Sequence, residues 1–167
     1  MHAPQTHADI QQIPGWLPEM LDAHGLFYQI SMHHRETRAS RTAEDLGTRP
    51  LDFAKTVILD VDGSPVMAVL PANHVIDLPA VADAHNARSA TLVPIELLPN
   101  YFPDCELGAQ PPFGRHYGMD VIVSAAMALD ERITFNAGSH AYAITMSFAD
   151  YQSIVKPRIL NFTTKQY

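Results

Sequence analysis

The stretch that most restricts the fold is the run from Ala54 to Leu70. Ala54-Lys55-Thr56-Val57-Ile58-Leu59-Asp60-Val61 is rich in β-branched residues, Asp62-Gly63 is a turn signal, and Pro65-Val66-Met67-Ala68-Val69-Leu70 runs back. A lone two-stranded hairpin is marginal in water, so other elements must cover it. Strand-like patterns recur at Phe27–Met32, Met119–Ser124, Arg132–Ala137 and Ala141–Ser147.

Helical patterns fall between these strands. Trp16, Leu17, Met20 and Leu21 share a face, with Gly25 as a stop. A second helix is expected over Arg41–Leu46, with Thr42 as N-cap and Gly47 ending it. Asp77–Asn86 reads as a short helix with proline in its first turn, and Ile95–Leu98 as another. Phe148–Val155 reads as a terminal helix that stops before Pro157. Strands and helices intermix without βαβ alternation. The expected class is therefore α+β, with a mixed, largely antiparallel and partly barrel-like sheet among short helices.

The chain has 167 residues, about one domain on a prior of roughly 100–200 residues per domain. Residues 1–13 read as a flexible tail, 14–160 as the folded domain, and 161–167 as a C-terminal tail. No apolar run approaches the roughly 20 residues of a membrane span. No export signal is visible at the N-terminus, so a cytoplasmic location is expected. The net charge of −7 argues against a broad basic nucleic-acid face, though not against contact with one nucleic-acid end through a few local cations. One cysteine, Cys105, excludes an internal disulfide framework. The nine histidines are scattered, without HExxH or paired Cys/His spacing, so no metal is expected. Dinucleotide and P-loop motifs are missing too.

Three features could carry chemistry. Lys55 starts an otherwise apolar strand. It is either an edge lysine whose stem covers apolar surface or a cation held rigidly over a pocket. Gly108-Ala109-Gln110-Pro111-Pro112-Phe113-Gly114 is either an ordinary turn or a stiffened loop aiming N–H groups at a carbonyl. Asn136-Ala137-Gly138-Ser139-His140 breaks two strands, and His140 there could orient a water or bond to substrate. Ser139 is a minor nucleophile candidate without a GxSxG elbow.

In this order and spacing, the strand AKTVIL, the hairpin DGSPVMAVLPANHVIDL, the loop Gly108–Pro112 and the turn FNAGSH resemble the YbaK/EbsC family, related to the editing domain of bacterial prolyl-tRNA synthetases. The resemblance covers roughly residues 16–157. It implies hydrolysis, in trans and without a cofactor, of the ester joining a wrong amino acid to the acceptor end of a tRNA. By that analogy Lys55 engages the terminal nucleotide, the loop from Gly108 binds the aminoacyl carbonyl, and His140 helps position water. Ala109, Gln110, Pro111, Pro112, Gly138 and Ser139 would line the substrate site. Phe27, Ile30, Met32, Val57 and Phe113 are candidate walls of a pocket that sieves by size. Mischarged tRNA is the implied partner, with an aminoacyl-tRNA synthetase as a further one. Two other readings compete: a catalytically silent module that binds tRNA ends or a synthetase, and a metal hydrolase using the histidines.

Overall fold

In the computed structural model, which describes residues 13–34 and 36–166, the central hairpin forms as its sequence demands. Asp62 and Gly63 both take left-handed backbone, with φ of 49° and 88°. That geometry matches the twist of the strands it joins. The Asp60 carboxylate accepts from the Gly63 N–H at 2.7 Å and fixes the turn.

The first half of the chain contains α1 (Trp16–Ala23), β1 (Tyr28–Met32), α2 (Ala39–Asp45), β2 (Phe53–Val61), β3 (Ser64–Pro71), β4 (His74–Ile76) and α3 (Leu78–Ala84). Next come β5 (Ala90–Leu92), a 3-10 turn leading into α4 (Leu98–Tyr101), and β6 (Asp120–Ser124). The last third holds β7 (Arg132–Asn136), β8 (Tyr142–Ser147), α5 (Phe148–Val155), β9 (Arg158–Leu160) and β10 (Thr163–Lys165).

The main sheet has the order β1-β8-β7-β2-β3-β6-β9, with β5 joining an edge of β2. Its β1–β8, β8–β7, β2–β3 and β2–β5 pairs are antiparallel. Its β2–β7, β3–β6 and β6–β9 pairs are parallel. The two ends of this order, β1 and β9, do not pair with each other. β4 and β10 form a separate antiparallel ribbon. The α+β class with a mixed sheet is as expected.

One face of the sheet carries the main core. Leu17 and Leu21 of α1 and Tyr151 and Val155 of α5 pack there against Ala54, Ile58, Val69, Val123, Phe135 and Ile144. Fully burying a leucine stabilises by roughly 1.5–3 kcal/mol, so α1 is held by its apolar stripe and not by its length. The opposite face carries two smaller clusters. Leu59, Val61, Ala68 and Ile122 lie under Val81 of α3 together with Phe162. Phe53 and Ala143 lie under Ala43 of α2 with Ala72. Since strand side chains alternate, Lys55 projects between Phe53 and Leu59, from the gap separating these two clusters.

Some expectations need correction. Thr42 lies inside α2, whose N-cap is Arg38. Its hydroxyl donates back to the Arg38 carbonyl at 3.2 Å, one turn earlier. The expected N-terminal tail lies outside the described residues except for Ile13, which is buried in the main core. The C-terminal segment does not hang free: Phe162 is buried, and Thr163–Lys165 pair with β4.

Candidate active site

The site is placed by a break in strand pairing along β2. β7 runs beside β2 only at Phe53 and Ala54, where Ala54 sits opposite Phe135. β5 takes over that edge from Leu59 to Val61. Between them no strand pairs with that edge at Lys55–Val57, and the Thr56 carbonyl there needs a donor from elsewhere. The buried side chain of Gln110 supplies it, donating from Nε2 to the Thr56 carbonyl at 3.1 Å.

Lys55 is therefore bracketed. The residue before it meets the strand that becomes the FNAGSH turn, and the residue after it holds the proline-stiffened loop. Its half-buried ammonium forms no hydrogen bond or ion pair with any described residue. Burial lowers its pKa from the usual lysine value.

The loop and the turn are laced together. The Glu106 N–H donates to the Gly138 carbonyl and the Gly138 N–H to the Ala109 carbonyl, each at 2.9 Å. Gly108 and Gly138 have φ of 83° and 82°, which side-chain-bearing residues rarely adopt. Gly138 has a second constraint: a β-carbon there would stand 2.5 Å from Cδ of Pro14. The Tyr151 hydroxyl, wholly buried, donates to the Pro112 carbonyl at 2.7 Å and anchors the loop to α5. Among the described residues, the N–H groups of Gly108 and Gln110 enter no backbone hydrogen bond.

His140 lies against this loop. Its ring stands 3.8 Å from the β-carbon position of Gly108. Its Nε2 is 2.6 Å from the Leu107 carbonyl, which only accepts, so that nitrogen carries the proton. In the neutral ring Nδ1 is then an acceptor, and it is buried with no partner.

Ser139 is fully buried; its hydroxyl donates to Glu106 at 3.2 Å and accepts from the Ala141 N–H at 3.0 Å. With both roles used, its hydroxyl braces the turn. Cys105 offers no thiolate, because burial pushes its thiol up to about 12. Among the described residues, no group of three or more His, Cys, Asp or Glu side chains could hold a metal ion. The arrangement offers backbone donors, an ammonium and an imidazole acceptor, and this set suits addition of water to an activated carbonyl.

The expected pocket walls divide. Val57 shares the Lys55 face and packs at the edge of the α3 cluster. Ala109, Gln110, Pro111 and Pro112 are all buried in the loop. Phe113 is a core residue instead of a wall, edge-to-face with Phe135 and with Tyr151 at 5.5 Å each. Ile30 packs into the main core. Phe27 is 91% exposed and borders a separate groove with Glu131 and Arg132. It sits at the start of β1, beyond the Tyr28–Met146 pair, whereas the turn lies past the Asn136–Ala143 pair at the other end of these strands. Met32 is 68% exposed and lines a groove of about 540 Å³ with Leu46, Arg49 and Thr134, a groove that Lys55 does not line.

Sequence reasoning gave no role to His33 or to the side chain of Asn136. The buried His33 ring places Nε2 3.2 Å from Asn136 Oδ1, and the backbone N–H of His33 donates to the Ala141 carbonyl at 2.9 Å. These contacts hold both ends of the turn against the end of β1. Their separation of 103 positions leaves no local signal.

A set of donors and an acceptor suited to hydrolysis, on a mixed sheet, points to the hydrolases, and comparison with known proteins narrows the class. The chain belongs to the aminoacyl-tRNA editing domain family, which matches residues 33–154. A curated relative, the multifunctional Ser/Thr-tRNA deacylase ProXp-y of Escherichia coli, is 28% identical over 150 residues, covering 86% of this chain and 88% of its own. The solved structure of the hypothetical protein APE2540 superposes with a TM-score of 0.80 at 13% identity, over 89% of this chain and 99% of that one. A second, whose name proposes a trans-editing enzyme for prolyl tRNA synthetase, gives 0.77 at 11% identity over 89% and 94%. The resemblance read from the sequence is thus borne out. The activity is aminoacyl-tRNA editing, a deacylation that hydrolyses the ester bond of aminoacyl-tRNA. Among the described residues, no helix is long and apolar enough to cross a membrane.

Proposed function

We propose that the crevice beside Lys55 receives the aminoacylated terminal adenosine of a mischarged tRNA. Lys55 meets the nucleotide, the N–H groups of Gly108 and Gln110 meet the ester carbonyl, and Nδ1 of His140 accepts from the attacking water or a ribose hydroxyl. Water adds to the ester carbon, the bond to the ribose oxygen breaks, and that oxygen leaves as a hydroxyl carrying the proton that water gives up. An aminoacyl ester is already activated, so positioning alone supplies several kcal/mol. The observation that carries this reading is the bracketing of Lys55 by the Ala54–Phe135 pair and the Gln110–Thr56 bond.

The substrate class is small. A methylene is worth only about 1–3 kcal/mol in an apolar pocket, which is why a second, hydrolytic sieve exists at all. The E. coli relative is named for Ser- and Thr-tRNA, and the same small polar residues are the leading candidates here. A synthetase is the further partner, delivering the acceptor end to a chain whose net charge is −7. The test is a deacylation panel of Ala-, Ser-, Thr- and Cys-linked tRNAs. Wild-type protein should accelerate loss of at least one small residue and Lys55→Ala should not. Equal rates with both proteins across the panel reject the reading.

A further inference from the structure

The C-terminal strand brings a second lysine to the sheet face that carries Lys55. β10 pairs with β4 so that Lys165 stands opposite His74 and Thr163 opposite Ile76. Directly opposed residues share a face, so Lys165, His74, Thr163 and Ile76 all leave the ribbon on one side. That side faces the sheet: Ile76 packs on the cluster around Leu59, and Thr163 bonds both the buried Ser124 at 2.7 Å and Nδ1 of the buried His74 at 3.0 Å. It is the sheet face from which Lys55 projects.

The segment is firmly held. Phe162 inserts among Leu59, Val66, Val81 and Ile122. The Asp77 N–H donates to the Phe162 carbonyl and the Gln166 N–H to the Asn73 carbonyl, each at 2.8 Å. The fold therefore gathers two lysines and an imidazole on one face of the sheet. His74 is kept below its ordinary pKa, first by burial and then by the charges of Lys55 and Lys165. No carboxylate pairs with Lys55 or His74 among the described residues. Two cations and an imidazole on one face of a sheet suit a phosphate group, which accepts charge-assisted hydrogen bonds from each.

We infer that Lys165 is a binding residue for the phosphodiester that leads into the terminal adenosine, acting beside Lys55 from the C-terminal strand. The inference rests on the reading of the crevice as an RNA-end site and adds a contact that the hydrolytic residues do not supply.

The test titrates the full chain with uncharged tRNA over a range of salt, so binding is read without hydrolysis. Lys165→Gln should weaken binding roughly three- to tenfold. It should also lower the slope of log affinity against log salt by about 0.7, the value for one cation on a single strand. Lys165→Arg should restore both. Lys156→Gln, the same charge loss at the end of α5, should change neither. With mischarged tRNA, Lys165→Gln should raise KM by a larger factor than it lowers kcat. No change with Lys165→Gln, or equal changes with Lys156→Gln, would overturn the inference. Wild-type protein that binds tRNA but hydrolyses no charged form would reject the deacylase reading, and the binding titration would still decide the role of Lys165.

Discussion

The side-chain amide of Gln110 donates to the backbone carbonyl of Thr56 across 54 positions of chain. That bond stands where a neighbouring strand would otherwise pair, and it fixes the proline-stiffened loop beside Lys55. Gln110→Leu keeps the bulk and removes the donor, leaving a carbonyl without its partner. The cost should be about 1–3 kcal/mol, or several degrees of melting temperature in a domain this size. Deacylation should fall further than the unfolded fraction explains, because the loop N–H groups lose their aim. Thermal denaturation and single-turnover deacylation at a temperature where both proteins are folded make the comparison. An activity loss no larger than the change in folded protein would show that the loop needs no such anchor.

Lys55 separates function from stability in the opposite sense. Its ammonium is half-buried without a partner among the described residues, and desolvation lowers its pKa. Lys55→Met retains the apolar stem and removes a charge that is costly to bury. The variant should melt at the wild-type temperature or slightly above it while losing nearly all deacylation. A melting temperature lowered by many degrees would instead make Lys55 a structural residue.

The central hairpin was legible because its signals are local: two-residue alternation and an Asp-Gly turn. Phe148–Val155 was legible too, since Ser147 caps it from the preceding residue and Pro157 follows. β4, β5, β9 and β10 span three residues each, too few for any periodicity, so the end of the chain read as a tail. Lys55, Gly108 and His140 stood out through motif order, and only the fold shows what lies between them. The aromatic candidates misled for a physical reason. A phenylalanine gives the same sequence signal on either side of a sheet, so Phe113 in the core and Phe27 in solvent both looked like pocket walls. The His33–Asn136 contact joins residues from distant strands, and nothing short of the sheet order predicts it.

Gly108 and Gly138 have nearly the same backbone conformation and very different surroundings. A methyl group at Gly108 would meet the His140 ring at 3.8 Å, an ordinary contact, so Gly108→Ala costs only the left-handed backbone, roughly 1–2 kcal/mol. At Gly138 the methyl would stand 2.5 Å from Cδ of Pro14. Gly138→Ala should therefore add an overpacking cost of about 1–3 kcal/mol to the same backbone strain. Denaturant unfolding of both variants should show Gly138→Ala as clearly the less stable. Gly108→Ala should stay folded and lose activity through displacement of the loop. Equal destabilisation would mean that Pro14 yields freely.

A carboxylate clasp joins the segments that lead into β2 and β7, and it makes stability depend on pH. Arg49 donates to both oxygens of Asp52 at 2.8 and 2.9 Å and to Asp130 at 3.3 Å. Burial opposes ionisation of Asp52, but the bonds from Arg49 and the hydrogen bond with Asp130 outweigh it and hold its pKa below the usual value. Asp130 goes the other way, raised to about 6 by burial and then by the hydrogen bond and charge of Asp52. The native state thus binds a proton at Asp130 more tightly than the unfolded chain does. The stability this provides is fully present below about pH 4, the unfolded carboxyl value, and is lost as pH rises through about 6. Asp52 contributes in the opposite direction, losing its stabilisation as pH falls below about 4. Asp130→Asn keeps the shape and a donor toward Asp52 but carries no charge. Its melting temperature should lack the wild-type decline between about pH 4 and 6, and at pH 7–8 it should exceed wild type by a few degrees. Melting curves of both proteins at half-unit intervals decide the matter, since parallel profiles would show that Asp52 and Asp130 do not share a proton. Because the Thr134 N–H donates to the Asp52 carbonyl at 3.0 Å, one residue before Asp52 yields to Phe53 and the β7 pairing begins, this clasp sets the start of the register that ends beside Lys55.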